Sequence, residues 1–491
     1  MRYRVNRGKG SGTGPFRATV KGVAAAAACL LLLSCSRPAT PDASQRRIVA
    51  PENWGDRQET RAQVADHWLA TLGSTGLTQL VETALENNQT LQQQALAVEI
   101  RKEQLVRAGS ALWPSLDLAL KRSRSRAVSA PAASDAASVD LNLTYELDIW
   151  SKLSADARRA NRLLLAEQAS YAQARQDLVA RVANAWLTVL QADRLLRLFQ
   201  QRVDNARENQ AIIESGYRRG LNSALDVYLV RNELNSQISR VRDQESVKVA
   251  ALRTLERLLG QYPDGRLAVS AGWPVLTEDI PLGMPSDLIT RKAGLVASWN
   301  RLLAQDAALA FAHKQRFPSL SLTASAGDRG NELDDLLKGS PFAWSLLGSL
   351  TTPLFNAGRL RAGEAAAALE VKQAEQAYLD DLYGAFEAVE NALTRDDSLR
   401  QRYQAMVKAQ ENAIIAATLS FEQYQKGLVN YTTVLEAQNR SFEAQTTVIQ
   451  LRKQRIANRV DLHVALGGDF DAAPRTDEST AAEQDVTDKD L

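Results

Sequence analysis

The stretch "YRRGLNSALDVYLVRNEL" at Tyr217–Leu234 returns as "YQKGLVNYTTVLEAQNRS" at Tyr424–Ser441, 207 residues later. At that offset Val182 meets Val389, Asn184-Ala185 meets Asn391-Ala392, and Leu259-Gly260 meets Leu466-Gly467. At a nearby offset, "WPSL" (Trp113–Leu116) returns as "FPSL" (Phe317–Leu320). Two copies of this length are not a short-period solenoid but a duplicated unit with internal pseudo-symmetry.

Each copy strings together the same elements. Thr75 to Ala111 is helical and stops near Trp113-Pro114, because proline disfavours helix in the residue before it. The apolar period then drops to two. Leu116, Leu118 and Leu120 alternate with Asp117, Ala119 and Lys121; Val139, Leu141, Leu143, Tyr145, Leu147 and Ile149 alternate with Asp140, Asn142, Thr144, Glu146 and Asp148. This pattern predicts four strands, at residues 115–126, 138–149, 319–328 and 341–353. A soluble antiparallel sheet with one wet face would alternate in the same way. The strand count favours a membrane. Each strand is near the roughly 9–11 residues of an oblique crossing. Four strands cannot close a barrel that needs about eight. An open edge in lipid leaves backbone groups unpaired at several kcal/mol each. If these strands enter a membrane, several chains share one barrel, and three copies supply twelve strands.

A long helix follows each strand pair. Residues 151–215 hold neither Pro nor Gly, and Leu178, Val182, Ala185, Val189, Ala192, Leu196, Phe199 and Val203 step by four and three. That is a left-handed coiled-coil seam. Gly358 to Phe421 repeats it through Leu382, Ala385, Val389, Ala392, Asp396, Leu399, Tyr403 and Met406. Such a run makes a rod of order 100 Å at about 1.5 Å per residue. Gly220 and Gly427 end the rods, and helices return over about Ser223–Leu259 and Asn430–Leu466. The expected fold is mainly α with a small antiparallel β part: duplicated coiled-coil hairpins carrying four transmembrane strands. From another class, a structural coiled-coil tether would need neither the strands nor the duplication.

The ends differ from the body. Arg2, Arg4, Arg7, Lys9, Arg17 and Lys21 precede the eleven-residue apolar run "VAAAAACLLLL" at Val23–Leu33, too short to span a bilayer and placed like the core of an export signal. It ends in "LLSC" (Leu32–Cys35), which resembles a bacterial lipobox, with Cys35 as the lipidated first residue after cleavage. Ser36 after it resembles the sorting of lipoproteins to the outer membrane. The expected organisation is a signal peptide over 1–34 and an anchored, Pro- and Ser-rich tether over 35–60. A first repeat at 61–270 has its β-hairpin at 115–149 and helical hairpin at 151–259. A second at 271–468 has them at 319–353 and 358–466, before an acidic, disordered tail at 469–491.

Composition closes off several kinds of chemistry. The 59 basic and 57 acidic residues nearly cancel, so no nucleic-acid partner is expected. Three histidines and two cysteines, both within the first 35 residues, leave transition-metal cages and His–Cys catalysis without ligands. His67, His313 and His463 are isolated and read as surface or belt residues. No catalytic constellation, phosphate loop or cofactor motif is present, and no enzyme is expected.

"LVETALENN" (Leu80–Asn88), "YELDIW" (Tyr145–Trp150), "GMPSDLITR" (Gly283–Arg291), "FPSLSLTASAG" (Phe317–Gly327), "TPLFNAGRLR" (Thr352–Arg361) and the twin "YRRGL"/"YQKGL" turns occur in one order. Together they resemble the outer-membrane factor family of TolC-type exit ducts, lipoprotein branch, over about Trp68 to Gly468. The resemblance implies a homotrimer with a twelve-stranded barrel in outer-membrane lipid, continued by a helical barrel in the periplasm. It implies a passive exit channel of a tripartite efflux system for small toxic compounds, with a periplasmic adaptor and an inner-membrane pump as partners. An exit duct for protein secretion would use the same fold. By resemblance, Gly220, Leu221, Asn222, Ser223, Gly427, Leu428, Val429 and Asn430 form adaptor-docking tips. Glu436 matches an acidic ring at the periplasmic gate, Thr432 and Thr433 stand on the preceding turn, and Asp226 matches a latch position. One segment departs from the family pattern, where Arg291-Lys292-Ala293-Gly294 follows "GMPSDLIT".

Overall fold

A computed structural model describes residues 51, 53–55, 67–126, 134–269, 272–276, 282–330 and 342–470. The expected signal peptide, the expected lipidation site Cys35, most of the expected tether and the tail from 471 onward lie outside the described residues. The described elements run α1 (Trp68–Thr71), α2 (Thr75–Asn87), α3 (Gln89–Ser110), β1 (Ser115–Ser125), β2 (Ser134–Leu147), α4 (Lys152–Arg218), α5 (Ala224–Leu258), α6 (Pro285–Arg291), α7 (Ala293–Lys314), β3 (Ser319–Gly330), β4 (Ala343–Thr351), α8 (Arg359–Gln425) and α9 (Tyr431–Ala465).

The duplication is visible to the residue. The rods α4 and α8 each hold 67 residues and the return helices α5 and α9 each hold 35, with starts 207 apart. Helices α3 and α7, both of 22 residues, start 204 apart, as do β1 and β3. Three extra residues between β4 and α8, compared with the link from β2 to α4, account for the two offsets.

The four strands form one antiparallel sheet in the order β1-β2-β3-β4, with β1 and β4 as edges. Its register sorts the two faces in the helix-side part, with Leu347, opposite Thr323, the large apolar side chain on the polar face. Leu116 lies opposite Leu143, Leu118 opposite Leu141, Leu141 opposite Ala326, Leu320 opposite Leu350 and Ala326 opposite Trp344. The other face carries Asp117, Asn142, Thr144, Ser321, Ser325 and Ser345. Leu116, Leu118, Leu120, Trp344, Leu346 and Leu350 are exposed, so much of the apolar face lies open among the described residues. β2 stops at Leu147. Asp148, read from the alternation as a strand residue, instead accepts bonds from the backbone of Leu153 and Ser154, both at 2.8 Å, and starts α4. Burial pushes the Asp148 carboxyl up, but the bonds from Ser154, Leu153 and Lys152 outweigh it and hold it below the usual carboxylate range.

The coiled-coil seam is one of two buried stripes. Leu178, Val182, Val189 and Ala192 are buried, and so are Val179, Ala183, Trp186, Leu187 and Leu190. Around the middle of the rod these side chains, Ala192 apart, meet Trp68, Leu77, Val81, Leu255, Leu259 and Val460 in one cluster. Two expectations shift here. Trp54, within the stretch read as tether, is buried against Phe386, and its indole donates to the Gly283 carbonyl. Asp469 and Phe470, assigned to the tail, are fixed to the body: His67 N–H donates to the Asp469 carbonyl at 2.8 Å, and Phe470 joins the cluster.

The departing segment has its own solution. In the first copy Asn88 caps α3, its side chain accepting from Leu91 N–H at 3.0 Å. Lys292 holds the same place before α7 and has no acceptor to offer. Gln173 of α4 supplies one across the fold, its oxygen accepting from Gly294 N–H at 3.1 Å. A Cβ at Gly294 would stand 3.4 Å from that oxygen, so glycine eases the approach.

Candidate functional site: the hairpin tips

The ends of the rods remote from the sheet carry most residues singled out in the sequence. Both turns are built alike. Leu221 N–H donates to Gly216 C=O and Gly220 N–H to Tyr217 C=O; Leu428 N–H donates to Gln423 C=O and Gly427 N–H to Tyr424 C=O. This pair of bonds closes a helix when the residue after the cap takes positive φ. Gly220 and Gly427 do so, at 75° and 74°, where a side chain would be strained. Leu221 and Leu428 follow and project outward, 73% and 70% exposed, beside Tyr217, Leu225 and Tyr228.

The return helices begin with side-chain caps. The Ser223 hydroxyl accepts from Asp226 N–H at 3.2 Å, and the Asp226 carboxylate accepts from Ser223 N–H at 3.1 Å, a capping box. In the second tip the Asn430 side chain accepts from Thr433 N–H and from the hydroxyls of Thr432 and Thr433 at 2.6 and 2.8 Å. Asn222 donates to Ile213 C=O at 3.0 Å. Val429 joins the second turn to this cap. Asp226, Thr432 and Thr433 therefore order their own helix ends.

The tips are stitched by a small core of Ile213, Val227, Val230, Tyr431 and Val434, with Phe421 and Tyr424 against it. Here two residues that the sequence reading passed over come forward. The hydroxyls of Tyr424 and Tyr431 are buried and meet no hydrogen-bond partner among the described residues. Burial, with the Asp226 carboxylate of the first hairpin close by, pushes the Tyr424 phenol up to about 12. The Tyr431 phenol is raised further, by burial first and then by Glu233, Tyr424 and Asp226.

Arg202 of α4 forms the other stitch. It pairs with Glu233 at 2.6 Å, bonds Asn439 and lies over the Phe442 ring at 4.4 Å. Beside it a cavity of about 580 Å³, lined by Asn209, Glu233, Phe421 and Ser441, separates the two hairpins. Glu436 stands apart from this network. It is exposed, and its carboxylate takes Arg440, one turn on, at 2.6 Å. Arg440 was also passed over, although an acidic and a basic residue four apart are neighbours on a helix face.

Of the histidines, His313 contacts the Glu364 carboxylate at 2.6 Å, and His463 is buried, stacked on Trp68. No group of three or more His, Cys, Asp or Glu residues is placed to hold a metal among the described residues.

The family described as outer membrane efflux protein matches residues 80–261 and 284–468, one stretch for each copy. The pyoverdine export outer membrane protein OpmQ of Pseudomonas aeruginosa is 30% identical over 469 residues, covering 92% of this chain and 97% of that one. The outer membrane protein OprJ of the same organism is 32% identical over 458 residues, covering 90% and 94%. A solved membrane protein from Pseudomonas aeruginosa superposes with a TM-score of 0.79 at 30% identity, covering 86% of this chain and 98% of its own.

Proposed function

Since the chain belongs to the outer membrane efflux protein family, a channel family of the outer membrane rather than one of enzymes, we propose that it is the exit channel of a tripartite efflux pump. Three chains supply twelve strands to one barrel, the rods continue it through the periplasm, and a lipid on Cys35 anchors each chain. The observation that carries this reading is the sheet: one face is apolar and largely exposed, the other mostly polar, and among the described residues both edges are unpaired. A closed barrel is the only sheet that hydrocarbon tolerates, and these strands need copies of themselves to close it.

At the far end, Leu221 and Leu428 offer apolar knobs to a periplasmic adaptor that links the channel to an inner-membrane pump of the resistance-nodulation-division type. The core packed between the two tips, with Tyr424 and Tyr431 of the second hairpin against Ile213, Val227 and Val230 of the first, supports a latch that keeps the tips closed. Small toxic compounds are the cargo. The relative called a pyoverdine export protein favours small molecules over secreted polypeptides. Substituting Asp at both Leu221 and Leu428 tests the docking. Drug accumulation in cells carrying the variant should rise to the level of a strain without the channel, while the variant still inserts in the outer membrane. Normal export by it would overturn the docking role.

A further inference from the structure

The lipid-facing side of the sheet does not stay apolar to its end. Two residues past Leu120 on the same face comes Arg122, and two more bring Arg124. The β1–β2 register runs from Ser115 to Ser125 without a bulge, so the parity set by Leu116, Leu118 and Leu120 carries through to both arginines. Both are exposed. Arg124 lies 3.7 Å from Asp135, its partner in the register, yet 74% of its side chain remains open. Asp328, opposite Val139, is on the same face; Lys121 falls on the polar one.

Their height follows from the same register. Ala137, the partner of Arg122, stands ten residues from Leu147 along β2. At about 3.4 Å per residue and a tilt near 40°, Arg122 is roughly 26 Å above the helix-side end of the sheet. That matches an apolar band about 25 Å tall. Because the helices are periplasmic, the arginines border the band at the outer leaflet. A guanidinium keeps its charge and presents a planar fork that fits two phosphate oxygens, while its aliphatic stem can lie along the band.

Resting on the sheet crossing the outer membrane, we propose that Arg122 and Arg124 form a lipid-facing clamp for phosphate groups of anionic headgroups in the outer leaflet. The test is native mass spectrometry of the full-length protein in detergent. A bisphosphorylated glucosamine-disaccharide lipid is titrated in, with the same lipid stripped of its phosphates as comparison. The phosphorylated form should bind and the stripped form should not. The double variant R122Q/R124Q should bind it about 30-fold more weakly, roughly five-fold for each arginine. K121Q removes the same charge from the opposite face and should bind as the unaltered protein does. Equal binding of both lipids by the unaltered protein overturns the clamp, as does undiminished binding by R122Q/R124Q or an equal loss with K121Q. If the double variant fails to assemble, the comparison of the two lipids on the unaltered protein decides.

Discussion

Gln173 performs for α7 what Asn88 does for α3, but from a different helix. A Gln173→Ala change leaves the Gly294 N–H without its acceptor and should cost about 1 kcal/mol, as lost N-caps do. Urea unfolding followed by helical signal measures this, and adding Lys292→Asn should recover most of the loss. The exchange was not legible in the sequence, where Lys292-Ala293-Gly294 reads only as a departure. A cap supplied 121 residues away leaves no local pattern. His463 shows the same limit. It is buried against Trp68 and near Arg459, and burial first, then that cation, lowers its pKa to about 4. Between that value and the ordinary 6.5, the unfolded chain binds a proton that the folded chain rejects. Stability is therefore fully present above pH 6.5 and falls toward pH 4, by about 3 kcal/mol at most. Melting temperatures across that range should slope less for His463→Gln; an unchanged slope would remove His463 from the account.

Among the elements, the rods and their turns were the most legible, because a seam of period 3.5 and a glycine stop are local signals. The second buried stripe of α4, through Trp186, Leu187 and Leu190, was not legible, since helices distant in sequence cover it. At the tips, position could be read but partnership could not. Thr432 and Thr433 turned out to bond the Asn430 cap and Asp226 to complete the Ser223 capping box, while Tyr424 and Tyr431 hold contacts that only packing reveals. The Glu436–Arg440 pair bears on conduction. An exposed pair of this kind adds little stability, yet if Glu436 lines the constriction, the Arg440 guanidinium offsets the charge its carboxylate presents to a passing ion. Glu436→Gln should lower cation selectivity in planar bilayers and Arg440→Gln should raise it. Reversal potentials under a salt gradient measure both. If neither moves, Glu436 does not line the constriction.

For the molecule as a whole, four alternating strands were enough to pose the question of closure, and the register answers which face meets lipid. The end of β2 at Leu147 and the role of Asp148 escaped the pattern, because Asp148 and Ile149 continue the alternation by two residues while the Asp148 carboxylate caps α4. The duplication carries the same meaning at this scale. Each copy contributes one strand pair to the membrane and one hairpin to the duct, and a single chain exposes its leucine face and leaves both sheet edges open. The mass of the detergent-solubilised protein, measured by analytical ultracentrifugation with bound detergent subtracted, tests this shared barrel most directly. Three copies of the chain per particle is the predicted result; a stable, folded particle holding one copy would contradict it.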